Sequence, residues 1–439
     1  MTPIYKKGEK TCPANYRPVS LTCICSKVME HILVSNLMSH AREQNLLYDL
    51  QHGFRDKRSC ESQLIGFIDD LARNLDVGAQ TDAIILDFAK AFDKVDHTRL
   101  CHKLRGFGIQ GSVNLWISEF LRGRTQRVVL NGERSDLVDV LSGVPQGSVL
   151  GPCLFLFYIN DLPAGIRSKV RLFADDTIVY ITVNANNHNT LQEDLNKLEI
   201  WEADWLMSFH PDKCEVMSIT NKKSPLARDY YLHGQRLKRT DRAKYLGVTI
   251  CATLTWKAHV SNVLSKANSS LGFIRRNLKV SSRAIKERAY FTLVRPHLEY
   301  CCSVWDPNEK GLIDKLEMVQ RRAARYVLGR YLKRASPTQM LEELGWASLR
   351  TRRRNMKLAM LYKINHSLIA IDGRDHNLLP STRPSSRHSN DQSFQIPHTN
   401  KDTYKHSFFP STIRLWNALP NNTVGSPSLD SFKAGLLNN

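Results

Sequence analysis

Apolar and polar residues follow two different rhythms along this 439-residue chain, and the change falls near Leu254. Before it, short apolar runs are closed by polar turns. Ala83–Leu86 is such a run, ended by Asp87, and reads as a strand buried on both faces. Val170–Phe173 and Thr177–Ile181 read as strands joined at a tip that holds Asp175 and Asp176. Gln126–Leu130 is strand-like, and Tyr230–Ile250 reads as a hairpin turning at His233–Gly234. Helical spacing interrupts these runs over Ser26–His40, where Val28, Met29, Ile32, Leu33 and Leu37 recur, and over Leu191–Trp205. The apolar stretch Val149–Leu162 reads as a buried helix with Ser148 as its cap and Pro152 tolerated in its first turn. After Leu254 the strand signals stop. Val260, Val263, Leu264, Ala267, Leu271 and Ile274 share one helical face, as do Ile313, Leu316, Val319, Ala323 and Val327. Gly373–Asp402 is polar and rich in Ser, Pro and His, which predicts a linker with little fixed structure. Tyr404–Leu437 brings aromatics back (Phe408, Phe409, Trp416, Phe432), and is expected to dock onto the preceding helices.

Charge sharpens the division. The chain carries 62 Lys and Arg against 42 Asp and Glu, a net +20. Residues 1–250 hold 32 basic against 29 acidic residues, and residues 251–439 hold 30 against 13. The second stretch therefore has the electrostatic footprint of a polyanion binder. Its densest part is Arg321–Lys357, where eleven basic residues, Lys333 and Arg334 among them, face only Glu342 and Glu343. A surface that tracks a nucleic-acid backbone would weaken steeply with salt. The 10 cysteines include no CxxC pair and suggest no metal site, so free thiols in a reducing interior are expected. No apolar run is long enough to span a bilayer, and no signal peptide precedes the first motif.

The candidate chemistry lies at the strand ends. Strands of one sheet can bring Asp87, Asp175 and Asp176 together. Like charges about 4 Å apart repel by roughly 4 kcal/mol at an effective dielectric near 20, so a bare cluster would be unfavourable. Divalent cations would make sense of it. Mg²⁺ takes hard oxygen ligands, usually one or two carboxylates plus substrate phosphates. Two such ions clamp the attacking and leaving oxygens of an in-line phosphoryl displacement. Between the acidic strings lies SGVPQGSVLGP, Ser142–Pro152, a stiff and sharply turned loop.

The order of these strings resembles the reverse transcriptases of non-long-terminal-repeat, LINE-like retrotransposons, closest to the jockey and chicken-repeat type groups. PIYKKGEKTCPANYRPVSLT (Pro3–Thr22) and HGFRDKRSC (His52–Cys60) resemble their fingers motifs. LDFAKAFD, GVPQGS and FADD resemble motifs A, B and C, HPDKCEVMSI (His210–Ile219) motif D, and KYLGVTI (Lys244–Ile250) the primer-grip hairpin. The resemblance is dense over residues 3–250 and continues in Tyr404–Pro420. It implies metal ligation by Asp87 and Asp175, a more peripheral Asp176, and a further ligand in the backbone carbonyl of Phe88. Phe92 would be the aromatic gate that clashes with a ribose 2′-OH, the group that separates RNA from DNA building blocks. Asp93 is read as a structural acid. Gln146 and Gly147 would line the incoming base pair and sugar. Arg55 and Arg58 are candidates for the triphosphate clamp, Lys213 for protonating the leaving pyrophosphate, and Tyr245, Leu246 and Gly247 for the primer grip.

The implied fold is α+β: a right-hand polymerase with fingers, a ferredoxin-like antiparallel palm and a helical thumb, and an α-rich basic C-terminal region. Its expected boundaries are 1–250 for fingers (1–85 and 106–141) and palm (86–105 and 142–250), 255–370 for thumb and basic region, 373–402 for the linker and 403–439 for a segment of unknown role. The implied activity is RNA-directed DNA synthesis from a primer 3′-OH, with two Mg²⁺ ions (Mn²⁺ as substitute), an RNA template, a DNA primer and dNTPs. The chain starts almost inside the first motif, so Met1 is read as the start of a truncated product whose endonuclease must come from elsewhere. The family's target-primed mechanism implies an intracellular, nuclear site of action. A catalytically idle nucleic-acid-binding remnant of a mobile element is the alternative, and the tail and the lack of a maturase region disfavour a group II intron maturase.

Overall fold

The apolar run before Asp87 forms the middle strand of a five-stranded sheet, as its lack of polar alternation requires. The structure, a computed structural model, describes residues 1–184, 186–187, 189–331, 336–381 and 390–437. Lys333 and Arg334 of the basic run lie outside the described residues. The chain divides into two units, Met1–Asp56, Ala83–Val216 and Ala227–Arg239 in the first, and Lys57–Asp82, Met217–Leu226 and Thr240–Asn439 in the second.

The first unit begins with an antiparallel hairpin, β1 (Thr2–Tyr5) and β2 (Tyr16–Val19), followed by helix α1 (Ile24–Glu43). The sheet is built from β3 (Gln80–Leu86), β8 (Lys169–Phe173), β9 (Asp176–Val183), β10 (Glu215–Ile219) and β13 (Lys238–Arg239), in the order β13-β10-β3-β9-β8. β8 and β9 pair antiparallel, whereas β13 at the edge pairs parallel to β10, with Glu215 opposite Lys238. Helices α3 (His97–Gly106), α4 (Gly111–Leu121), α5 (Leu150–Ile159) and α6 (Thr190–Trp205) supply the rest of the core. The strand-like Gln126–Leu130 splits into two short strands of a bent ribbon, β4 (Thr125–Gln126) paired with β7 (Val138–Asp139) and β5 (Val129–Leu130) with β6 (Glu133–Arg134).

Helix α5 is apolar all round and is buried accordingly. Its N-terminal amides need acceptors inside the protein. Ser148 supplies one, as expected: its Oγ accepts from the Gly151 amide at 2.9 Å. The other acceptor was not legible in the sequence. Glu30 of α1, fully buried, accepts from the Val149 and Leu150 amides at 2.7 and 2.9 Å, and its other oxygen accepts from Ser26 Oγ. A carboxylate at a helix N-terminus is favoured by both hydrogen bonding and the helix dipole. Lys103 of α3 is also buried. It pairs with Asp161 at 2.5 Å and lies 3.5 Å from the Trp205 ring centroid, and burial pushes its ammonium down to about 8.

The second unit is mostly helical. It contains α2 (Cys60–Asp76), opened by a Ser59–Ser62 capping box, and the hairpin β14 (Arg242–Tyr245) and β15 (Val248–Cys251). Tyr230–Ile250, expected as one hairpin, is therefore two. Strands β11 (Tyr231–Leu232) and β12 (Gln235–Arg236) flank the turn at His233–Gly234, and the β14–β15 turn at Leu246–Gly247 closes a second hairpin. Helices α7 (Lys257–Asn277), α8 (Arg283–Ala289), α9 (Arg295–Glu299), α10 (Cys302–Trp305), α11 (Lys310–Leu328), α12 (Pro337–Glu343) and α13 (Leu349–Asn365) follow. The apolar faces read in α7 and α11 are the buried ones, although Leu264 and Ile313 are only half-buried.

Two expectations need correction here. The basic run is not all surface. Arg353 is fully buried with Nε 2.8 Å from Asp306, whose other oxygen pairs with buried Lys357 at 2.7 Å; Arg352 pairs with Glu299. These charges are paired within the helical unit, as a buried cation must meet a counter-ion there. Of the stretch 373–402, residues 382–389 lie outside the described residues, and the described remainder is likewise more than a linker. His376 is buried, stacks on Phe409 at 4.7 Å and lies 2.7 Å from Asp69, and Asn390 and Phe394 are buried too. The remaining helices, α14 (Asp402–Lys405), α15 (Phe408–Asn417), α16 (Asn421–Val424) and α17 (Leu429–Leu437), bury Phe409, Trp416 and Phe432. They dock on α13, as expected, and on α2, which the pattern had placed among the fingers. None of the 10 cysteines forms a disulfide, and among the described residues no helix is long and apolar enough to cross a membrane.

Replacing the α5 cap tests this reading of the core. Glu30→Ala is expected to lower unfolding stability by about 2–3 kcal/mol, because two buried amides lose their acceptor. Glu30→Gln, which keeps one acceptor oxygen, should lose less. Denaturant titration of the two variants against the parent checks the order.

Candidate active site

Asp87 is the first residue beyond β3, Asp175 lies in the turn between β8 and β9, and Asp176 begins β9. Because β3 and β9 are neighbours in the sheet, the three carboxylates meet at one end of it. Their electrostatics record the meeting. Burial lifts the Asp175 carboxyl above its ordinary range, the charge of Asp87 lifts it further, and Arg17 and Lys6 oppose the shift. Asp176 reaches solvent on one side, yet partial burial and the charges of Asp175 and Asp87 push it up to about 6, with Lys6 opposing. The cluster is short of positive charge, and its donors are hard oxygens, the set that suits Mg²⁺. Among the described residues no three His, Cys, Asp or Glu side chains are drawn together tightly enough to form a metal cage.

The segment after Asp87 is held by the chain that leads into β10. The Ala89 amide donates to the Ser208 carbonyl and the His210 amide to the Asp87 carbonyl, both at 2.8 Å, closing an antiparallel bridge between Phe88 and Phe209. Those bonds leave the Phe88 carbonyl out of the ladder, while the Phe88 and Phe209 rings stack at 4.2 Å. Lys213 stands 3.7 Å from Asp87 Oδ1, both side chains about half exposed.

Phe92 is half-buried. Its ring stacks on Phe155 of α5 at 4.3 Å and meets exposed Phe54 edge-on at 6.4 Å. Asp93 ties two loops together: its Oδ1 accepts from Gln146 Nε2 at 2.8 Å, and its carbonyl accepts from Ser142 Oγ at 2.9 Å. Gln146 is also fixed through its carbonyl, which accepts from the Ser20 amide at 2.7 Å. Gly147 has φ of 106°, and a Cβ there would lie 2.6 Å from the Ser20 carbonyl, so only glycine fits.

Of the arginines read as clamp candidates, Arg55 donates from Nη1 to the Tyr48 carbonyl at 2.6 Å, and Arg58 lies just before the Ser59 cap of α2. Lys6 acts on both Asp175 and Asp176 and Arg17 acts on Asp175; both cations are exposed and are carried by the β1–β2 hairpin. The sequence holds them inside the first quoted motif, but nothing in their spacing separates them from the chain's other basic residues.

Within the second unit, the β14–β15 hairpin that carries Tyr245, Leu246 and Gly247 is held at three points. Gln63 Nε2 of α2 donates to the Tyr245 hydroxyl at 3.2 Å, Tyr300 Oη donates to the Leu246 carbonyl at 3.0 Å, and the Thr249 amide donates to His259 Nδ1 at 3.1 Å. Gly247 has φ of 84° and packs against the Tyr300 ring, where a Cβ would come within 3.0 Å. Burial pushes His259 down to about 4, which keeps it neutral and Nδ1 free to accept.

A family model described as "Reverse transcriptase (RNA-dependent DNA polymerase)" matches residues 4–250. The chain is 28% identical over 363 residues to the "Probable RNA-directed DNA polymerase from transposon BS" of Drosophila melanogaster, covering 77% of this chain and 40% of that protein. It is 26% identical over 342 residues to the "RNA-directed DNA polymerase from mobile element jockey" of Drosophila melanogaster, covering 74% and 37%. The chain thus spans about two fifths of the length of the curated relatives it matches. Among solved structures, apo telomerase from Candida tropicalis is similar with a TM-score of 0.44 and 11% identity, covering 72% of this chain and 51% of that chain, too distant a likeness to carry an argument.

Two outcomes follow from the geometry. Asp175→Asn should raise the Tm of the metal-free protein by a few degrees, since removing one of the like charges that lift one another relieves repulsion on the order of 1 kcal/mol in water-like surroundings. It should also shrink the Tm rise that Mg²⁺ gives the parent, as differential scanning fluorimetry with and without the ion would read. The second concerns His259. Its folded pKa of about 4 lies below its ordinary 6.5, so the unfolded chain takes up the proton first. Stability is therefore full above pH 6.5 and is lost as pH falls towards 4. His259→Asn, whose oxygen can accept from Thr249, should lack that component in urea titrations at stepped pH.

Proposed function

The chain belongs to the reverse transcriptase (RNA-dependent DNA polymerase) family, and from that premise we propose that it copies RNA into DNA, as the polymerase of a non-long-terminal-repeat retrotransposon. A primer 3′-OH attacks the α-phosphorus of a deoxynucleoside triphosphate, and pyrophosphate leaves. The observation that carries the proposal is the gathering of Asp87, Asp175 and Asp176 at one sheet end, with Asp175 and Asp176 raised by burial and by neighbouring charge. Asp87 and Asp175, with the Phe88 carbonyl and Asp176 at the periphery, would hold Mg²⁺, or Mn²⁺ in its place. Bound there, two such ions would align the reacting groups and neutralise charge developing on the phosphoryl oxygens.

The chain's own groups do the rest of the work. Lys6 and Arg17, whose charges already act on the carboxylates, hold the triphosphate, with Arg55 and Arg58 as further clamp candidates. Phe92, wedged against Phe155, bars a ribose 2′-OH and so selects deoxynucleotides. Gln146, held by Asp93 and Ser20, lines the incoming base pair, and Gly147 gives the sugar room. Lys213, beside Asp87, donates the proton that the leaving pyrophosphate takes up. Residues 1–250 supply fingers and palm, Tyr245–Gly247 the primer grip, and 255–370 a helical thumb whose exposed basic residues follow the template–primer backbone. The RNA template and DNA primer are the partners, met in the nucleus where chromosomal DNA offers a 3′-OH.

Primer extension on an RNA template with Mg²⁺ tests the reading. DNA synthesis by the parent and a loss of at least about a hundredfold in Asp175→Ala, with RNA affinity retained, is expected. Phe92→Val should raise ribonucleotide use relative to deoxynucleotide use by about tenfold or more. Lys6→Ala and Arg17→Ala should each raise the dNTP KM by about tenfold, the equivalent of about 1.4 kcal/mol of lost binding. A folded parent that binds RNA and extends nothing would make the chain an idle remnant.

A further inference from the structure

The turn that carries Asp175 is strained. Strands β8 and β9 stay in register as far as Phe173 opposite Asp176, so Ala174 and Asp175 close the hairpin in two residues. Ala174 has φ of 54°, a left-handed conformation that an L side chain adopts at a cost and that glycine would relieve. Such strain persists only where the surroundings over-determine it.

Those surroundings come from far upstream. Residues 50–52 lie along β8: the Leu172 amide donates to the Leu50 carbonyl at 3.0 Å, and the His52 amide donates to the Leu172 carbonyl at 2.8 Å. Between these bonds Gln51, 2% exposed, folds its side chain over the turn. Its Oε1 accepts from the Ala174 amide at 2.9 Å and from the Gly53 amide at 2.8 Å. Both partners are donors, so the oxygen must be the atom that faces them. Nε2 is buried with no hydrogen-bond partner. An orphaned buried donor is unfavourable for folding, so the placement of this side chain is explained by its acceptor end. Gly53 completes the contact, since a Cβ there would lie 2.3 Å from the Ala174 nitrogen.

We infer that Gln51 is a positioning residue of the polymerase centre: its amide oxygen locks the Ala174–Asp175 turn so that the Asp175 carboxylate stands beside Asp87. The inference rests on the polymerase reading above. A neutral acceptor suits the place, because it pins two amides without bringing another negative charge to the carboxylates. Gln51→Met keeps the volume and removes the acceptor. Gln51→Glu keeps an acceptor oxygen, in the manner of Glu30, which is fully buried and holds two amides in the same unit.

The test uses the full chain and reads three quantities: amide exchange at Ala174, kcat and dNTP KM in primer extension, and the Mg²⁺ concentration giving half-maximal rate. Gln51→Met should speed Ala174 exchange by about tenfold or more, lower kcat by about tenfold to a hundredfold and raise the Mg²⁺ requirement, with dNTP KM within about twofold of the parent. Gln51→Glu should restore Ala174 protection and most of kcat at saturating Mg²⁺. Parent-like exchange and kcat in Gln51→Met would overturn the inference. So would equal damage in both variants, or a lowered Tm with kcat and Ala174 exchange unchanged in the folded protein. Should Gln51→Met fail to fold, Gln51→Glu decides by the same two readouts. A parent that extends no primer would sink the polymerase reading instead. Ala174 exchange and the Mg²⁺-induced Tm shift of the two variants would then judge Gln51 on their own.

Discussion

Mutual repulsion among Asp87, Asp175 and Asp176 is the constraint around which the first unit is arranged. Carboxylates brought this close separate unless the backbone leaves them no freedom. The strands that carry them are accordingly buried: Ile84, Leu86, Leu172, Ile178 and Val179 are all inaccessible to solvent or nearly so. The polar neighbours add rigidity rather than counter-charge. Gln51 pins one turn and Asp93 pins the loop beside it through Gln146. Gly53, Gly143 and Gly147 let backbones approach where any side chain would collide. Stability given up at the carboxylates is thus retained in packing around them, the usual balance at a site that needs an outside charge.

Buried charge is handled in the opposite way wherever no outside partner is needed. Glu30 meets two helix amides, Lys103 meets Asp161 inside an aromatic surround, and Asp306 meets both Arg353 and Lys357. Each carries its counter-group within the fold. The contrast is one of partners: Glu30, Lys103 and Asp306 each meet a counter-group at hydrogen-bond distance, whereas burial and neighbouring like charge hold the carboxyls of Asp175 and Asp176 above their ordinary range.

The basic C-terminal half illustrates why composition alone overstates a surface. A net charge counts every Lys and Arg alike, yet Arg353 is fully buried and Lys357 nearly so, and Arg330 and Arg352 are engaged by Glu343 and Glu299. What remains for a polyanion is the exposed remainder. The helices α14 to α17 give the same lesson for apolar residues. Their aromatics form a small core of their own with Tyr362 and His376, and the described residues of 373–402 are anchored there at His376, Asn390 and Phe394.

Local chemistry was legible in the amino-acid sequence. An uninterrupted apolar run ending in Asp87, a hairpin tip carrying Asp175 and Asp176, and a loop stiffened by Gly143, Pro145 and Gly147 each follow from nearest-neighbour rules of backbone and burial. The ordered motifs were enough to indicate the family. The tertiary structure alone decided which distant groups serve those strings. Gln51 reaches Ala174 and Glu30 reaches Val149 across separations of 123 and 119 residues, and Lys6 and Arg17 act on the carboxylates from the far N-terminal hairpin. No periodicity encodes such pairings. Hydrogen bonds and charge coupling depend on distance in space, and only the packed chain sets that distance.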